Sequence, residues 1–287
     1  MSTATSAVSS QRYCERRPRP ELAGILSCVW IQEVSAEGPA YEHRTVPNGC
    51  SEIACVLDTG IVRVAGTRRG PALARHSPGA RIVGVRFRPG VAPGILGVPA
   101  SHVVDVDLEL DRLWGRPANT LGARLAEAAS AEDAADMLED DMIGKCAAAP
   151  PLDPLVAEAV TRLQPWRHSD VNEATSELFI SRRQLRRRFA AALGFGPKTL
   201  QRILRFQGFL ALLNAHHGDD VTLSRLASAA GYADQAHLNR ECSRLTGLTP
   251  TRFLGEMRTS CGPTHDHAAS FAPLRQALLR ASPAMAS

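Results

Sequence analysis

The sequence predicts an α+β protein in which a small β-rich domain precedes an all-α domain. From about residue 20 to 116, apolar and polar residues alternate between frequent Pro and Gly, which is typical of short strands and turns. From about residue 117, apolar residues recur every three or four positions, which indicates helices. Residues 147–154, "AAAPPLDP", interrupt the helical pattern with prolines.

The chain has 287 residues, a length that suits two or three domains. The first dozen residues are rich in Ser, Ala and Thr, a composition typical of disorder. We therefore predict a disordered amino terminus at 1–16, a β-rich and then helical domain at 17–146, a linker at 147–154, a helical domain at 155–258 and a carboxy-terminal tail at 259–287.

Composition is that of a soluble globular protein, with 44% hydrophobic and 22% charged residues. The longest mostly apolar stretch, residues 22–31, is about half of what a bilayer-spanning helix needs, and the amino terminus lacks a signal-peptide core. Seven cysteines without a CxxC pair fit reduced thiols. We expect a cytoplasmic protein without membrane association.

Positive charge is concentrated in one region. Residues 152–260 contain 15 Lys and Arg against 10 Asp and Glu, whereas the rest of the chain contains 18 against 19. A region with this excess favours a polyanionic partner.

Residues 181–189, "SRRQLRRRF", place five arginines in nine positions. Like charges three and four residues apart on a helix repel each other by a few tenths of a kcal/mol per pair. Helical spacing turns Leu185, Phe189 and Leu193 to one side. It leaves four arginines on the outer side: Arg182, Arg183, Arg186 and Arg187.

The same pattern returns 53 residues later. Ser181 and Asp234 are both good helix N-caps, and each begins a helix of about three turns that a glycine ends. Proline then begins the next helix. The other matched pairs are Leu185 with Leu238, Arg187 with Arg240, Gly194 with Gly247, and Pro197 with Pro250.

The second repeat contains a helix-turn-helix motif. Thr222 is the N-cap of a short helix, Gly231 supplies the turn, and the next helix turns Leu238, Cys242 and Leu245 inward. Its outer side carries Gln235, Ala236, His237, Asn239 and Arg240. Arg recognises guanine edges in the major groove, so the two outer faces favour double-stranded DNA as the partner.

Residues 231–254, "GYADQAHLNRECSRLTGLTPTRFL", resemble the signature of the AraC/XylS transcription regulators. The resemblance implies two helix-turn-helix units joined by a long helix, here residues 197–213. It also implies DNA contacts through Arg182, Arg183, Arg186 and Arg187 in the first unit and through Gln235, Ala236, His237, Asn239 and Arg240 in the second. Transcriptional activation together with RNA polymerase is a further implication.

Residues 46–53 and 83–115 resemble a cupin-like module that is often found ahead of this DNA-binding domain. This resemblance implies a small β-barrel that binds a small-molecule effector or forms a homodimer. The chain also departs from the family pattern. Ala174-Thr175 stand where Leu-Ala is usual, Phe179 stands in place of the turn glycine of the first unit, and Cys242 stands in place of a phenylalanine.

Three alternatives remain open. A metal-binding cupin needs clustered ligands, but His43, His76 and His102 lie far apart in sequence, so we expect no metal, no cofactor and no enzyme activity. A cysteine-based protein that repairs alkylated DNA is a second alternative, against which stands the lack of a cysteine cluster. The third alternative is a DNA-binding protein without sequence specificity.

Overall fold

A computed structural model describes residues 11–167, 169–215, 222–260 and 265–281. The strands are β1 (Gln11–Arg16), β2 (Leu26–Val34), β3 (Tyr41–Thr45), β4 (Glu52–Val56), β5 (Ile61–Ala65), β6 (Ala72–His76), β7 (Arg81–Phe87), β8 (Asp107–Glu109) and β9 (His265–Asp266). The helices are α1 (Ala92–Leu96), α2 (Asp111–Trp114), α3 (Arg116–Ala126), α4 (Ala131–Ala148), α5 (Pro154–Arg162), α6 (Val171–Glu177), α7 (Arg182–Leu193), α8 (Pro197–Ala215), α9 (Leu223–Ala229), α10 (Gln235–Thr246), α11 (Pro250–Ser260) and α12 (Ala268–Ala281). Within these ranges no helix has both the length and the apolar character needed to cross a membrane.

A seven-stranded sheet with the order β8-β5-β4-β7-β2-β1-β9 forms the centre of the amino-terminal half. All neighbouring strands are antiparallel except β1 and β9, which run parallel. Strands β4 and β5 form a hairpin around Asp58-Thr59-Gly60, with Val56 opposite Ile61. In β7, three residues at every second position, Val83, Val85 and Phe87, are fully buried, in agreement with the alternation of apolar and polar residues in this part of the sequence.

The α+β class and the β-rich amino-terminal domain are confirmed, but the large sheet does not close into the predicted barrel. Its two end strands, β8 and β9, do not pair with each other in the described part of the chain. Strands β3 and β6 instead form a separate two-stranded sheet, and Tyr41 of β3 packs with Tyr13 and Trp30 of the large sheet. The result is an open, cupin-like arrangement of two layers.

The opposite face of the large sheet is covered by α3 and α4. Leu121, Leu138 and Met142 from these helices pack in one cluster with Val83 and Val85. Burial of the apolar side chains in this cluster provides the main stabilisation of the amino-terminal half.

The helices from α5 onward share a second core, centred on Phe206 and Phe209 of α8. The inward positions predicted for the two repeats are confirmed, because each of them is at most 1% exposed: Leu185, Phe189, Leu193, Leu238, Cys242 and Leu245.

Polar contacts also join the two halves. Thr67 Oγ1 donates to the Leu193 carbonyl at 2.6 Å, Gln207 Nε2 donates to the Pro47 carbonyl at 2.8 Å, and Arg44 Nε donates to Glu256 Oε1 at 2.9 Å. The amino-terminal domain therefore contacts the end of α7, the middle of α8 and the surface of α11.

The chain termini differ from the sequence expectation. Residues 11–16, predicted as part of a disordered terminus, form β1, while residues 1–10 lie outside the described ranges. Within the tail predicted at 259–287, residues His265–Asp266 form β9 and Ala268–Ala281 form the 14-residue helix α12. Both segments are ordered by distant partners, since β1 pairs with β2 and β9, and Phe271 and Leu278 of α12 are buried in the carboxy-terminal core.

Candidate nucleic-acid interface

The first helix-turn-helix unit consists of α6, a short turn and α7. A capping box begins α7: Ser181 Oγ accepts from the Gln184 amide at 3.2 Å, and Gln184 Oε1 accepts from the Ser181 amide at 2.9 Å. A second capping box, made by Asp170 and Glu173, begins α6. These bonds satisfy amide groups that helix ends otherwise leave without partners.

The second unit, α9 and α10, has the same construction. Thr222 caps α9, and Asp234 caps α10 by accepting from the His237 amide at 2.6 Å. Gly194 and Gly247 end α7 and α10 in the left-handed region, with φ of +77° and +75°. The predicted repeat is therefore confirmed at its caps and glycines.

Helix α8 connects the units and holds both of them. It spans Pro197–Ala215 and so contains the predicted connecting helix at 197–213. Gln201 Nε2 donates to the Ser169 carbonyl ahead of α6 at 2.8 Å, and Arg202 Nε donates to Glu241 Oε2 of α10 at 2.5 Å. The guanidinium of a third α8 residue, Arg205, lies 5.7 Å from the ring centre of Tyr232 in the turn of the second unit. Contacts with both units along one helix restrict their relative movement.

The outer face of α7 is a run of unpaired cations. Arg182, Arg183, Arg186 and Arg187 are all exposed, although the amino-terminal domain packs against the end of the same helix. Within the described residues none of these four has a carboxylate oxygen within 4.0 Å. The fifth arginine, Arg188, differs because it is half-buried and forms an ion pair with Asp153.

The outer face of α10 is polar and carries fewer charges. Gln235, Ala236, Asn239 and Arg240 are exposed, as the helical spacing predicts. His237 is half-buried because its ring stands edge-on to Tyr232, with 5.2 Å between ring centres and an interplanar angle of 88°. The structure thus places the nine predicted residues on two helices, four on α7 and five on α10.

The departure at Phe179 has a structural counterpart in the second unit. The Phe179 amide donates to the Ser176 carbonyl at 3.2 Å, as the Gly231 amide donates to the Ser228 carbonyl at 2.9 Å. Phe179 has a φ of +54° and its side chain is 94% exposed. A phenylalanine therefore adopts the left-handed conformation that glycine adopts in the other unit.

Two exposed cations near this surface were missed in the sequence. Lys198 follows Pro197 in the first turn of α8, and Arg252 lies in the first turn of α11, which begins at Pro250. Both lie just beyond the last matched position of the repeat, so extending the alignment past the prolines identifies them.

The six cysteines that the structure describes give no sign of a reactive thiol. Burial raises the pKa of Cys50 and of Cys55 to about 12, and it raises the pKa of Cys28 further. The pKa values of Cys14, Cys146 and Cys242 are also raised by burial. Thiols with raised pKa values stay protonated at neutral pH, and the protonated form is a poor nucleophile. Cys261 lies outside the described residues.

The fold brings together histidines that are distant in the sequence. Pairing of β3 with β6 places the rings of His43 and His76 5.9 Å apart, and His265 of β9 lies 6.4 Å from His43. His102 is exposed on a short turn. Among the described residues, no group of three or more His, Cys, Asp or Glu side chains is placed to hold a metal ion.

Two known families match separate parts of the chain. Residues 175–256 match the helix-turn-helix domain family, and residues 14–109 match the domain of unknown function DUF6597. A comparison with curated protein sequences finds no match.

Solved structures of ToxT from Vibrio cholerae are similar to most of this chain. ToxT from strain O395 has a TM-score of 0.41 and 10% identity, covering 76% of this chain and 96% of that one. A second crystal form of ToxT, at 1.65 Å resolution, also has a TM-score of 0.41 and 10% identity, covering 85% and 98%.

The helix-turn-helix match coincides with the two capped units and with the helix that joins them, and the DUF6597 match coincides with the open sheet. The chain therefore carries an AraC-type helix-turn-helix domain behind an amino-terminal DUF6597 domain, the architecture of a DNA-binding transcription regulator.

Proposed function

We propose that this chain is a sequence-specific transcription regulator in which the outer faces of α7 and α10 bind the major groove of double-stranded DNA. The observation that carries the proposal is the set of four exposed, unpaired arginines on a capped helix inside a helix-turn-helix domain. We place this DNA-binding domain at residues 155–258.

The two faces have different chemistry, which suggests different roles. Four guanidinium groups on α7 neutralise phosphates and recognise guanine O6 and N7. On α10, Gln235 and Asn239 carry amides that suit adenine, and Arg240 suits guanine. We therefore assign most of the salt-dependent affinity to α7 and a larger share of base selection to α10. The exposed Lys198 and Arg252 add phosphate contacts.

One chain already offers two recognition helices. In this arrangement they contact major-groove segments about one helical turn apart, roughly 34 Å along the DNA. The expected binding site is two short conserved blocks about ten base pairs apart.

The amino-terminal domain is proposed to bind a small-molecule effector and to control DNA binding. Its contacts with α7, α8 and α11 provide a physical route, since a change in the domain reaches each of these helices through Thr67, Gln207 and Arg44. We further propose that the chain activates transcription through RNA polymerase, forms a homodimer and is located in the cytoplasm.

The first test is selection of bound sequences from a genomic DNA pool by the full chain at about 0.15 M salt. Enrichment of a site with two blocks supports the proposal. Binding without enrichment contradicts sequence specificity and favours the alternative of a non-specific DNA-binding protein.

Substitution of single arginines then tests the two helices. We expect Arg187→Ala and Arg240→Ala each to weaken binding to the selected site by about 1–3 kcal/mol, because each removes a charged contact with the DNA. The measurement is a binding titration at fixed salt. Arg112→Ala is the matched control, since this exposed arginine of α2 makes the same change of charge outside the helix-turn-helix units. Wild-type affinity in both test variants would show that the helices are wrongly assigned.

The alternative of a cysteine that accepts an alkyl group from DNA has little physical support. Such a reaction needs an ionised thiol, and the described cysteines have raised pKa values. Incubation with methylated DNA followed by mass spectrometry tests it directly, and a gain of one methyl group would contradict our proposal.

A further inference from the structure

The large sheet has an inner face, turned toward β3 and β6, that carries an unusual set of polar side chains. Strand register places Gln32 opposite Tyr13, and Trp30 opposite Glu15, on this face. Arg86 of β7 lies opposite Cys28, two residues from Trp30, and so belongs to the same face. Ligand sites typically combine aromatic side chains with a few charged groups, and this buried face carries aromatic rings, a carboxylate and a guanidinium.

Residues 265–271 of the chain itself, which we call the plug, extend the sheet beyond β1 and place side chains on the inner face. The plug begins with β9, in which His265 pairs with Tyr13. The ring of His265 stacks on that of Tyr13 with 4.5 Å between ring centres and an interplanar angle of 24°. The centre of the His267 ring lies 5.0 Å from the centre of the Tyr13 ring. Two imidazoles therefore contact one tyrosine.

Glu15 is the main polar anchor of the plug. His267 Nδ1 lies 3.2 Å from Glu15 Oε1. The Ser270 amide and Ser270 Oγ donate to Glu15 Oε2 at 3.0 and 2.5 Å. The side chain of Glu15 is fully buried, so these donors replace water around its carboxylate.

The contacts of Arg86 leave the inner face with more negative than positive charge. Arg86 Nη1 donates to Glu15 Oε1 at 2.7 Å, and Arg86 Nε donates to Glu52 Oε1 at 2.7 Å. One guanidinium is thus shared by two carboxylates, which leaves an excess of negative charge. Any group that takes the place of the plug has to present N–H or O–H donors to Glu15.

Two donors on the same face have no acceptor. Trp30 Nε1 and Gln32 Nε2 are buried and lack a hydrogen-bond partner among the residues that the structure describes. The two side chains are 8% and 2% exposed. Buried donors are almost always paired in proteins, so these two favour an occupant that also carries an acceptor.

We infer that the inner face is the effector site of the amino-terminal domain, that its ligand is a planar nitrogen heteroaromatic base, and that the plug occupies the site as an internal ligand. This inference rests on the proposed regulation by an effector. Such a base stacks on Tyr13 as His265 does, donates an N–H to Glu15, and offers a ring nitrogen as acceptor to Trp30 or Gln32.

Displacement of the plug reaches the DNA-binding domain through α12. This helix begins within the plug, at Ala268, and packs on α8, where Leu278 lies against Gly208. Phe271 and Leu278 are buried in the core that contains Phe206 and Phe209 of α8. A ligand that removes the plug therefore also loosens α12 from the helix that holds both DNA-binding units.

The experiment is a titration of the full chain with benzimidazole, without DNA, followed by intrinsic fluorescence and by hydrogen exchange of residues 265–281. Ser270→Ala removes one hydrogen bond to Glu15 and weakens the plug without disturbing the sheet. We expect this variant to bind benzimidazole about tenfold more tightly than wild type. Gln276→Ala, an exposed change on α12, is the matched control and should bind as wild type does. Exchange of the plug should increase as benzimidazole binds.

Three results would overturn the inference. The first is no binding to either wild type or Ser270→Ala. The second is equal affinity in these two proteins, because the plug would then not compete with the ligand. The third is equal binding of 1-methylbenzimidazole, which lacks the N–H donor. Since no DNA is present, each of these results leaves the assignment of α7 and α10 intact.

Discussion

At the scale of single residues, the turn of the first unit stores strain that the second unit avoids. Phe179 holds a φ of +54° and exposes 94% of its side chain, so it adopts an unfavourable backbone conformation and gains little from packing. Left-handed conformation costs a non-glycine residue roughly 1–2 kcal/mol. We expect Phe179→Gly to raise the stability of the chain by about 0.5–1 kcal/mol, after the larger unfolded-state entropy of glycine is subtracted.

Phe179→Ala is the control for this prediction, because alanine removes the same ring and keeps the strain. Thermal unfolding of both variants, followed by helical circular dichroism, separates the two effects. Equal midpoints for the glycine and alanine variants would mean that the backbone at this position is not strained.

The sequence was informative about Phe179 and uninformative about the histidines, for a physical reason. Phe179 could be identified because the family pattern places a glycine in the turn of the first unit, a signal that involves only a few neighbouring residues. His43, His76 and His265 meet only through the pairing of β3 with β6 and through the placement of β9. Neither contact leaves a local signal, so the sequence could not predict the cluster.

At the scale of elements, α7 depends on its cap more than an ordinary helix does. Its exposed arginines repel one another, and the favourable terms are the capping box at Ser181 and the buried side of Leu185, Phe189 and Leu193. We expect Ser181→Ala to lower the stability of the carboxy-terminal domain by about 1 kcal/mol. Ser243→Ala, at an exposed position inside α10, is the matched control and should stay close to wild type.

Urea unfolding at two salt concentrations measures this effect. Because salt screens repulsion between the arginines, we expect α7 to gain stability as salt rises, in wild type and in the variant alike. An unchanged midpoint in Ser181→Ala at low salt would contradict the role given to the cap.

The helices of this chain could be predicted from its sequence more accurately than the strands. Ser181, Thr222 and Asp234 are read as caps from a few neighbouring residues, and the structure confirms each of them. Strand β1 has charged side chains on both of its faces, where Glu15 pairs with Arg86 on one side and Arg16 pairs with Glu139 on the other. A strand held by buried ion pairs resembles a polar terminus, and it was therefore predicted to be disordered.

At the scale of the whole molecule, acid should release the plug. Burial, together with the nearby His267 and His43, lowers the pKa of His265 to about 3. Burial alone would raise the pKa of Glu15, but Arg86, His267 and a neighbouring serine outweigh it and hold that pKa far below its usual range. Once the plug is released, the pKa of His265 returns toward about 6.5, and Glu15 loses His267 and Ser270, which help to lower its pKa. Both groups then bind protons more readily than in the docked state. The stability of the docked plug is therefore complete above about pH 6.5 and decreases as the pH falls below it.

Hydrogen exchange of residues 265–281 between pH 7.5 and pH 4.5, corrected for the intrinsic exchange rate, measures this release. We expect protection to fall with pH in wild type and to fall less in His265→Gln, which cannot take up the proton. Protection that stays constant over this range would contradict the burial of a neutral imidazole at this position.

The overall arrangement of the two halves was only partly predictable. The helical domain has local caps and a repeat, so its order of elements follows from the sequence. The contacts of the amino-terminal domain with α7, α8 and α11 involve side chains and carbonyls such as Thr67, Gln207 and Pro47, which any surface loop could carry. Closure of the sheet into a barrel could not be decided from the sequence either. The strand that pairs with the edge of β1 lies some 250 residues later, at His265–Asp266.

That last pairing has a consequence for how the protein is made. A ribosome adding roughly 5–20 residues per second completes β1 long before it completes β9, and the interval amounts to about 12–50 s. During this time the edge of β1 is open to strands of other chains, the situation in which nascent β-proteins aggregate. Chaperones that cover strand edges should therefore matter most for the first half of this chain. A protein shortened before His265 keeps that edge uncovered permanently.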